Sequence, residues 1–209
     1  MPVMSKVESV CCRSAPWRAF TRRLVLPWAL GDTELGGRVL EIGSGAASDA
    51  EEMLRRFPSV RITATDVDPA MVAAAQRGLR RFGSRATVVN ADATRLPFAN
   101  EAFDVVVSFL MLHHVIAWEE ALTEAGRVLR PGGLLMGYDL LRSAPAQVLH
   151  RLDRSPHRLM SDAELRSRLI SLELSDVGVV AGLGRLVARF KAGKMQATGP
   201  SRTSDEGDR

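Results

Sequence analysis

The sequence predicts a doubly wound α/β fold, in which helices cover both faces of a mostly parallel sheet. From Arg38 onward, short apolar runs alternate with longer helical patterns, as in repeated β-α-β units. Acidic residues and small loops follow the ends of these runs, where a parallel sheet gathers its binding loops. The last two β runs are separated by Gly182 and Gly184, a connection short enough for an antiparallel hairpin. We therefore expect seven strands in one sheet, with the last strand antiparallel.

The residues before the first strand are expected to form a helical cap over residues 1–36. Apolar residues alternate with arginines in residues 14–30, the pattern of an amphipathic helix, which Pro27 is expected to break. Three roles are open for this helix: it covers a cleft with an aromatic wall, it packs on the helices of the sheet, or it rests on an anionic membrane, for which it is short. The aromatic residues concerned are Trp17, Phe20 and Trp28.

The strands are expected at the apolar runs, and their lengths are typical of a buried parallel sheet. In chain order they are residues 38–42, 60–65, 86–90, 104–109, 134–139, 174–180 and 185–191. Residues 37–191 are therefore assigned to one domain. Residues 192–209 are polar and rich in Gly, Ser and Thr, so a disordered tail is expected there.

Three helix starts carry capping signals. Two have the spacing of a capping box, and one combines an N-cap acid with proline at the first helical position. They are Ser48 with Glu51, Ser161 with Glu164, and Asp68 with Pro69. Residues 131–133, Pro-Gly-Gly, are expected to end the helix that carries Arg127 and Leu129, and to turn the chain into the fifth strand.

The composition is that of a globular domain with an arginine-rich surface. The chain has 209 residues, of which 46% are hydrophobic, enough to bury a sizeable core. Three of its 28 basic residues are lysine, which leaves 25 arginines, and the formal net charge is +4. Because the arginines are scattered along the sequence without a long basic run, no nucleic-acid partner is expected.

Cys11 and Cys12 are the two cysteines and are adjacent. This spacing is too strained for an ordinary disulfide and unlike a metal-ligand pattern, so we expect a reducing cytoplasm and no metal site. No stretch reaches the roughly 18 apolar residues of a membrane span, and no apolar signal-peptide core is present.

The most informative segment is residues 39–47, an apolar run that ends in a carboxylate and a loop of small residues. Glu41 lies near the end of the run, and Gly43, Ser44 and Gly45 follow Ile42. Glycine lets the backbone turn sharply and lets a ligand lie against it. A dinucleotide loop would need a third glycine where Ser48 stands, and a Walker loop would need Gly-Lys-Ser/Thr, so both are disfavoured.

Two further acids follow the next strands. Asp66 closes the second strand, where an acid can accept hydrogen bonds from ribose hydroxyls. Asp92 follows the third strand and can accept from an exocyclic amino group, whereas Asp68 is better explained as a helix cap. Taken singly, each acid can equally be a solvated loop carboxylate. Together with Glu41, they outline one adenosine pocket.

These motifs together resemble the class I S-adenosylmethionine-dependent methyltransferases, in particular the methyltransferase type 11-like group. Sequences of that group run Glu-x-Gly-x-Gly, Asp-x-(Ser/Asp)-Pro-x-Met, Asp-Ala-x-x-Leu-Pro-Phe, Phe-Asp-x-Val, His-His and Arg-Val-Leu-(Arg/Lys)-Pro-Gly-Gly. All of these motifs occur in this order across residues 39–134. The resemblance weakens after Asp139, and Ala47 stands where the family often has a third glycine.

The resemblance implies a Rossmann-like fold and S-adenosylmethionine as the cofactor. Glu41 and the backbone of Gly43, Ser44 and Gly45 would hold its methionine and ribose part, and Asp66 its ribose diol.

The resemblance also implies contacts to the adenine and to the ammonium group. Val67 and Met71 would contact the adenine face, and Asp92 with Ala93 its edge. The Ser108 carbonyl, at the end of the fourth strand, would face the ammonium of the methionine moiety.

His113 and His114 directly follow the fourth strand and are the candidates for proton transfer, because histidine titrates near neutrality. Methyl transfer can rely on alignment and exclusion of water, so a base is not obligatory. A role in shaping the pocket or capping the next helix is the alternative. His150 and His157 are not expected to contact substrate.

The resemblance thus implies methyl transfer to a small, lipophilic acceptor by in-line displacement. The alternatives are a methyltransferase acting on RNA or another macromolecule, and a protein that binds S-adenosylmethionine without transferring its methyl group.

Overall fold

The structure, a computed structural model, describes residues 14–144, 146–147, 157–182 and 184–196. The predictions for Cys11, Cys12, His150, the side chain of Trp17 and the chain beyond residue 196 lie outside what it describes.

Seven strands form one sheet in the order β3-β2-β1-β4-β5-β7-β6. They are β1 (Arg38–Ile42), β2 (Arg61–Asp66), β3 (Ala86–Asn90), β4 (Phe103–Phe109), β5 (Leu129–Leu140), β6 (Leu174–Gly182) and β7 (Val187–Lys194). Strands β1 to β5 pair in parallel, and β7 runs antiparallel to both of its neighbours. The predicted fold class is therefore confirmed.

Helices pack on both faces of the sheet. They are α1 (Ala15–Phe20), α2 (Leu26–Leu30), α3 (Ser48–Arg56), α4 (Pro69–Leu79), α5 (Trp118–Val128) and α6 (Asp162–Ser171). Alternate residues of β1 enter different cores, because successive side chains of a strand point to opposite faces. Leu40 and Ile42 pack with α5 and α6, and Val39 packs with α2, α3 and α4.

The fifth strand begins earlier than predicted. Helix α5 ends at Val128, so Leu129 lies in β5 and not in the helix, and residues 131–133 lie within the strand. The register between β4 and β5 shifts here, and a Cβ on Gly133 would be 2.9 Å from the Asp104 backbone oxygen. The Pro-Gly-Gly segment therefore forms an irregular strand start, and the helix ends before it.

Two of the three predicted helix caps are confirmed. The Asp68 side chain accepts a hydrogen bond from the Ala70 amide, and Ser161 with Glu164 forms a reciprocal capping box. The capping box predicted at Ser48 is wrong.

Helix α3 is preceded by Ala47, whose backbone is left-handed with φ of 60° and ψ of 38°. In that conformation no side chain caps the helix. Glu51 turns instead to Arg55 and Arg81 as an ion-pair partner.

The N-terminal helix continues past the position where a break was expected. A π-helical segment, Thr21–Val25, joins α1 to α2, and Pro27 lies in the first turn of α2. Leu26, Ala29 and Leu30 are buried in the same core as strands β4 and β5, so this helix packs on the sheet.

The C-terminal strand continues past residue 191. Ala192 is fully buried and pairs with Leu135 of β5, so the expected tail does not begin at residue 192. Within the part of the chain that the structure describes, no helix has the length and apolar character to cross a membrane.

Candidate functional site

A cleft lies at the carboxyl ends of β1, β2 and β4 and beside the segment that follows β3. Five predicted residues line it: Gly43, Asp66, Val67, Ala93 and His114. The rest of its wall is apolar and consists of Ile42, Ala91, Leu110, Met111 and Val115. A mostly apolar concavity with a few polar groups is the usual form of a small-molecule site.

The loop after β1 is shaped for close approach by another group. Gly43 has φ of +68°, and a Cβ there would lie 1.9 Å from Cγ of Met111. Only glycine combines this backbone conformation with such a close contact. Gly45 has φ of +53°, and no described atom lies within 4 Å of the place its Cβ would take. One side of the loop is therefore covered by Met111 and the other is open.

Asp66 at the end of β2 holds this loop. Its Oδ2 accepts a hydrogen bond from the Gly45 amide at 2.8 Å, and its Oδ1 accepts from the Asp68 amide at 2.9 Å. Burial raises the pKa of Asp66, although these amide donors oppose the rise. Both carboxylate oxygens keep lone pairs for a further donor.

Glu41 lies beneath the loop and is 2% exposed. Burial raises its pKa well above the usual range, and the negative charges of Asp49 and Asp66 raise it further. Its Oε2 has no hydrogen-bond partner among the described residues. Burial likewise raises the pKa of Asp49, to about 6.

Ser108 and Ser44 lie near the same edge of the sheet. The hydroxyl of each is buried and lacks a partner among the residues described. The Ser108 carbonyl oxygen lies against the neighbouring strand, 2.0 Å from where a Cβ on Gly137 would be. The expected contact of that carbonyl with an ammonium stays a prediction, and the hydroxyl is the polar group of Ser108 left without a partner.

Asp92 is engaged locally. Its Oδ1 accepts hydrogen bonds from the backbone amide of Thr94 at 2.8 Å and from the Thr94 hydroxyl at 2.6 Å. The adjacent Ala93 lines the cleft, but Asp92 does not. Of the three predicted acids, Glu41 and Asp66 thus interact electrostatically, and Asp92 turns toward its own loop.

Met71 is 1% exposed in α4 and does not line the cleft, so its contact with an adenine ring also stays a prediction.

Asn90 has a role that the sequence reasoning missed. Its side-chain amide donates to the backbone oxygens of Asp66 and Val67, at 2.9 and 3.0 Å, and so orders the segment that follows β2.

The two adjacent histidines are placed differently. His114 lines the cleft, whereas His113 is 3% exposed beneath it. Nδ1 of His113 forms a hydrogen bond with Oδ1 of Asp139. The two imidazole rings are 4.0 Å apart between centroids.

Asp139 is a further residue that sequence reasoning missed. It is 1% exposed, lies near the carboxyl end of β5, and accepts hydrogen bonds from the segment after β4. The signal was available, because an acid near this strand end corresponds to Glu41 and Asp66 at theirs.

Three other residues considered in the sequence analysis are not part of the cleft wall. His157 does not line it, nor do Phe20 and Trp28 of the N-terminal helix. Among the described residues, no three His, Cys, Asp or Glu side chains are grouped so as to hold a metal ion.

Comparison with known proteins shows what this chain is similar to. A family model described as a methyltransferase domain matches residues 39–133. The chain is 34% identical over 99 residues to the demethylmenaquinone methyltransferase of Thermus thermophilus, covering 47% of this chain and 45% of that protein. It is 36% identical over 105 residues to the phthiotriol/phenolphthiotriol dimycocerosates methyltransferase of Mycobacterium leprae, covering 50% and 38%. The chain thus spans less than half the length of either relative.

A solved structure shares the fold. A phosphoethanolamine N-methyltransferase of Haemonchus contortus, in complex with phosphomonomethylethanolamine and S-adenosylhomocysteine, superposes with a TM-score of 0.72 at 16% identity. The match covers 85% of this chain and 53% of that one.

Proposed function

We propose that this chain is a class I S-adenosylmethionine-dependent methyltransferase that transfers a methyl group to a small, lipophilic acceptor. The observation that carries the proposal is the cleft at the strand ends, where Gly43, Asp66, Val67 and Ala93 stand together. Because these residues come from the loops after β1, β2 and β3, they match three independent motifs of the family.

The residues fit S-adenosylmethionine in chemistry. The cofactor presents an ammonium group, two ribose hydroxyls and an adenine amino group, all of which are hydrogen-bond donors. The site offers acceptors that still have capacity: Oε2 of Glu41 and the Ser44 and Ser108 hydroxyls, which lack partners among the described side chains. Buried polar atoms without partners are rare, so a ligand that satisfies them is the simplest explanation.

We assign the nucleoside part to the loops after β2 and β3. Asp66 would accept from the ribose diol while it keeps the Gly45 amide. Val67 and Ala93 line the cleft and would contact the face and the edge of the adenine. The contacts of Met71 with the adenine face and of Asp92 with its edge belong to the same proposal.

We assign the methionine part to the loop after β1. Glu41, with the backbone of Gly43, Ser44 and Gly45, would hold it, and Ser108 lies on the neighbouring strand. A cationic group near Glu41 would favour its ionised form and offset the cost of burying this carboxyl.

Bound S-adenosylmethionine supplies an electrophilic methyl group on a good leaving group. The chain therefore contributes alignment and exclusion of water. His114, in the cleft wall, is the residue we assign to accept a proton from an acceptor hydroxyl or amine, worth on the order of 10² to 10⁴ in rate. His113 is buried, so we assign it no contact with the acceptor.

The apolar wall supports a lipophilic acceptor. Ile42, Leu110, Met111 and Val115 present hydrocarbon to the cleft, which an apolar substrate would cover favourably. The names of the relatives, one acting on demethylmenaquinone and one on phthiotriol lipids, agree with this class. A cytoplasmic location stays a prediction from the adjacent cysteines.

The experiment is incubation of the chain with methyl-labelled S-adenosylmethionine and three acceptors: a reduced demethylmenaquinone analogue, total RNA and a metabolite extract. We expect label in the quinol or the organic-soluble extract. Label in RNA would indicate the macromolecular alternative. Binding of the cofactor without any labelled product would indicate a binding protein, and would contradict the proposal.

A further inference from the structure

We propose that Asp139 and His113 form a positioning pair that holds residues 110–115 in the wall of the cleft and thereby orients His114. The inference rests on the proposed function only in naming the cleft as the cofactor and acceptor site. Neither residue of the pair lines the cleft, so each acts through the segment it holds.

Asp139 gathers donors from the segment after β4. Its Oδ2 accepts from the amides of Met111 at 3.0 Å and Leu112 at 2.7 Å. Its Oδ1 accepts from the Leu140 amide at 2.7 Å and from Nδ1 of His113. A carboxylate that is 1% exposed requires such a set of donors, since an unsatisfied buried charge is strongly destabilising. The Asp139 side chain therefore binds the segment to β5, next to the backbone hydrogen bond that the Leu110 amide donates to the Tyr138 oxygen at 2.9 Å.

This segment needs an external restraint. Leu110 has φ of 49°, a conformation that non-glycine residues rarely adopt and that persists where the surroundings over-determine it. Leu110 and Met111 then line the cleft, and Met111 lies against Gly43. The hydrogen bonds that the Met111 and Leu112 amides donate to Asp139 supply the restraint directly after Leu110.

His113 transmits the restraint to His114. Its Nδ1 is bound to Asp139, and its backbone oxygen accepts from the Arg158 amide at 2.8 Å, so ring and backbone are both fixed. The His114 ring packs on it at 4.0 Å with an interplanar angle of 41°. In this proposal, His113 acts through the hydrogen bond of its Nδ1 with Asp139, and the volume of its ring is less important.

Two substitutions at one position separate positioning from packing. His113→Asn keeps an N–H donor at the δ position but removes most of the ring. His113→Phe keeps the ring volume but has no donor. A role in packing alone predicts that the phenylalanine variant is tolerated and the asparagine variant is not, because lost volume leaves a cavity. Positioning through Asp139 predicts the reverse.

Calorimetric titration with S-adenosylhomocysteine measures the effect on the cleft. We expect His113→Phe and Asp139→Asn to weaken binding about tenfold or more, as for a lost hydrogen bond to a charged group, and His113→Asn to stay within about threefold. Asp104→Asn is the matched control. The Asp104 side chain also accepts a hydrogen bond from a backbone amide, that of Arg38, but it lies at the other end of β4. Tight binding by His113→Phe with weak binding by His113→Asn would overturn the proposal.

A second readout does not depend on the cofactor. In the full chain, labelled at its four histidines, we expect one imidazole Nδ1 proton to exchange slowly with solvent. That resonance should vanish in His113→Phe and in Asp139→Asn, and persist in Asp104→Asn. If Asp139→Asn fails to fold, the two His113 variants decide. If the wild-type chain binds no S-adenosylhomocysteine, the proposed function fails, and a missing Nδ1 resonance would separately overturn the pair.

Discussion

At the scale of single residues, the contact between Gly43 and Met111 links the two sides of the cleft. The Met111 side chain fills the space that a Cβ on Gly43 would occupy. The loop after β1 and the segment after β4 therefore share one contact surface. A ligand placed against the Gly43 backbone would meet this methionine, whose side chain is flexible enough to adapt to it.

Gly43→Ala is expected to destabilise the chain more than an equivalent substitution elsewhere. The control is Gly184→Ala in the β6–β7 turn, where φ is also positive, at +61°, but no described atom lies within 4 Å. We expect the control to lose about 1 kcal/mol of the free energy of unfolding, because only backbone strain is added there. Gly43→Ala should lose about 1–3 kcal/mol more, because Met111 must move. Urea unfolding measures both, and equal losses would contradict the close contact.

Asp49 gives a pH dependence with a defined sign. Its pKa rises from 3.8 to about 6 on folding, because burial disfavours the charge. The folded state therefore holds this proton more tightly, and the stabilisation is lost as the pH rises from about 4 to about 6. Asp49→Asn should be more stable than the wild type at pH 7 by about 1–3 kcal/mol, and equal to it below pH 4.

Thermal unfolding between pH 4 and 8 measures this difference. Asp32→Asn, at an exposed acid, is the control and should follow the wild-type curve. Parallel curves for Asp49→Asn and the wild type would show that Asp49 is not desolvated.

At the scale of elements, the start of α6 and the start of α3 carry the same sequence signal but different structures. Ser161 accepts from the Glu164 amide and completes a capping box, whereas no side chain caps α3. Ser161→Ala should therefore lower the free energy of unfolding by about 1 kcal/mol, and Ser48→Ala by much less. Denaturant titration of both variants checks this, and a comparable loss at Ser48 would be inconsistent with the structure.

The difference between these two helices explains where sequence reasoning succeeded. Asp68 and Ser161 have the extended backbone that an N-cap requires, and their caps depend on neighbours in sequence. The start of α3 depends on the left-handed turn at Ala47, which the packing of the loop after β1 imposes. Signals in the local sequence therefore predicted the caps at Asp68 and Ser161. At the start of α3, the tertiary structure determines the backbone, and the predicted cap does not form.

The site shows the same division. Gly43 and Asp66 were predictable, because a motif and a strand end marked them. The contact of Asp139 with His113 joins residues 26 apart in sequence, so only the pairing of β4 with β5 reveals it. The hydrogen bond of Asp92 with Thr94 could not be predicted either, since an acid in a loop can bind its own backbone or face a ligand.

At the scale of the whole molecule, the order of the strands explains why the motifs that follow β1, β2, β3 and β4 lie around one cleft. Strands β1, β2 and β3 lie side by side, with β4 on the other side of β1. The chain reverses its direction of winding between β3 and β4, and such a switch point opens a crevice at the carboxyl ends of the strands. The sequence predicted this architecture because apolar runs and turn residues mark each strand. It did not predict how far β5 and β7 extend, since their ends are set by pairing with neighbours.

The central claim is that Asp66 holds a nucleoside at this crevice. Calorimetry with S-adenosylmethionine on the wild type, Asp66→Ala and Asp68→Ala tests it directly, because Asp68 caps a helix two residues away and serves as the control. We expect clear binding by the wild type, a loss of about 1.5–3 kcal/mol for Asp66→Ala, and little change for Asp68→Ala. Unchanged affinity in Asp66→Ala, or an equal loss in both variants, would contradict it.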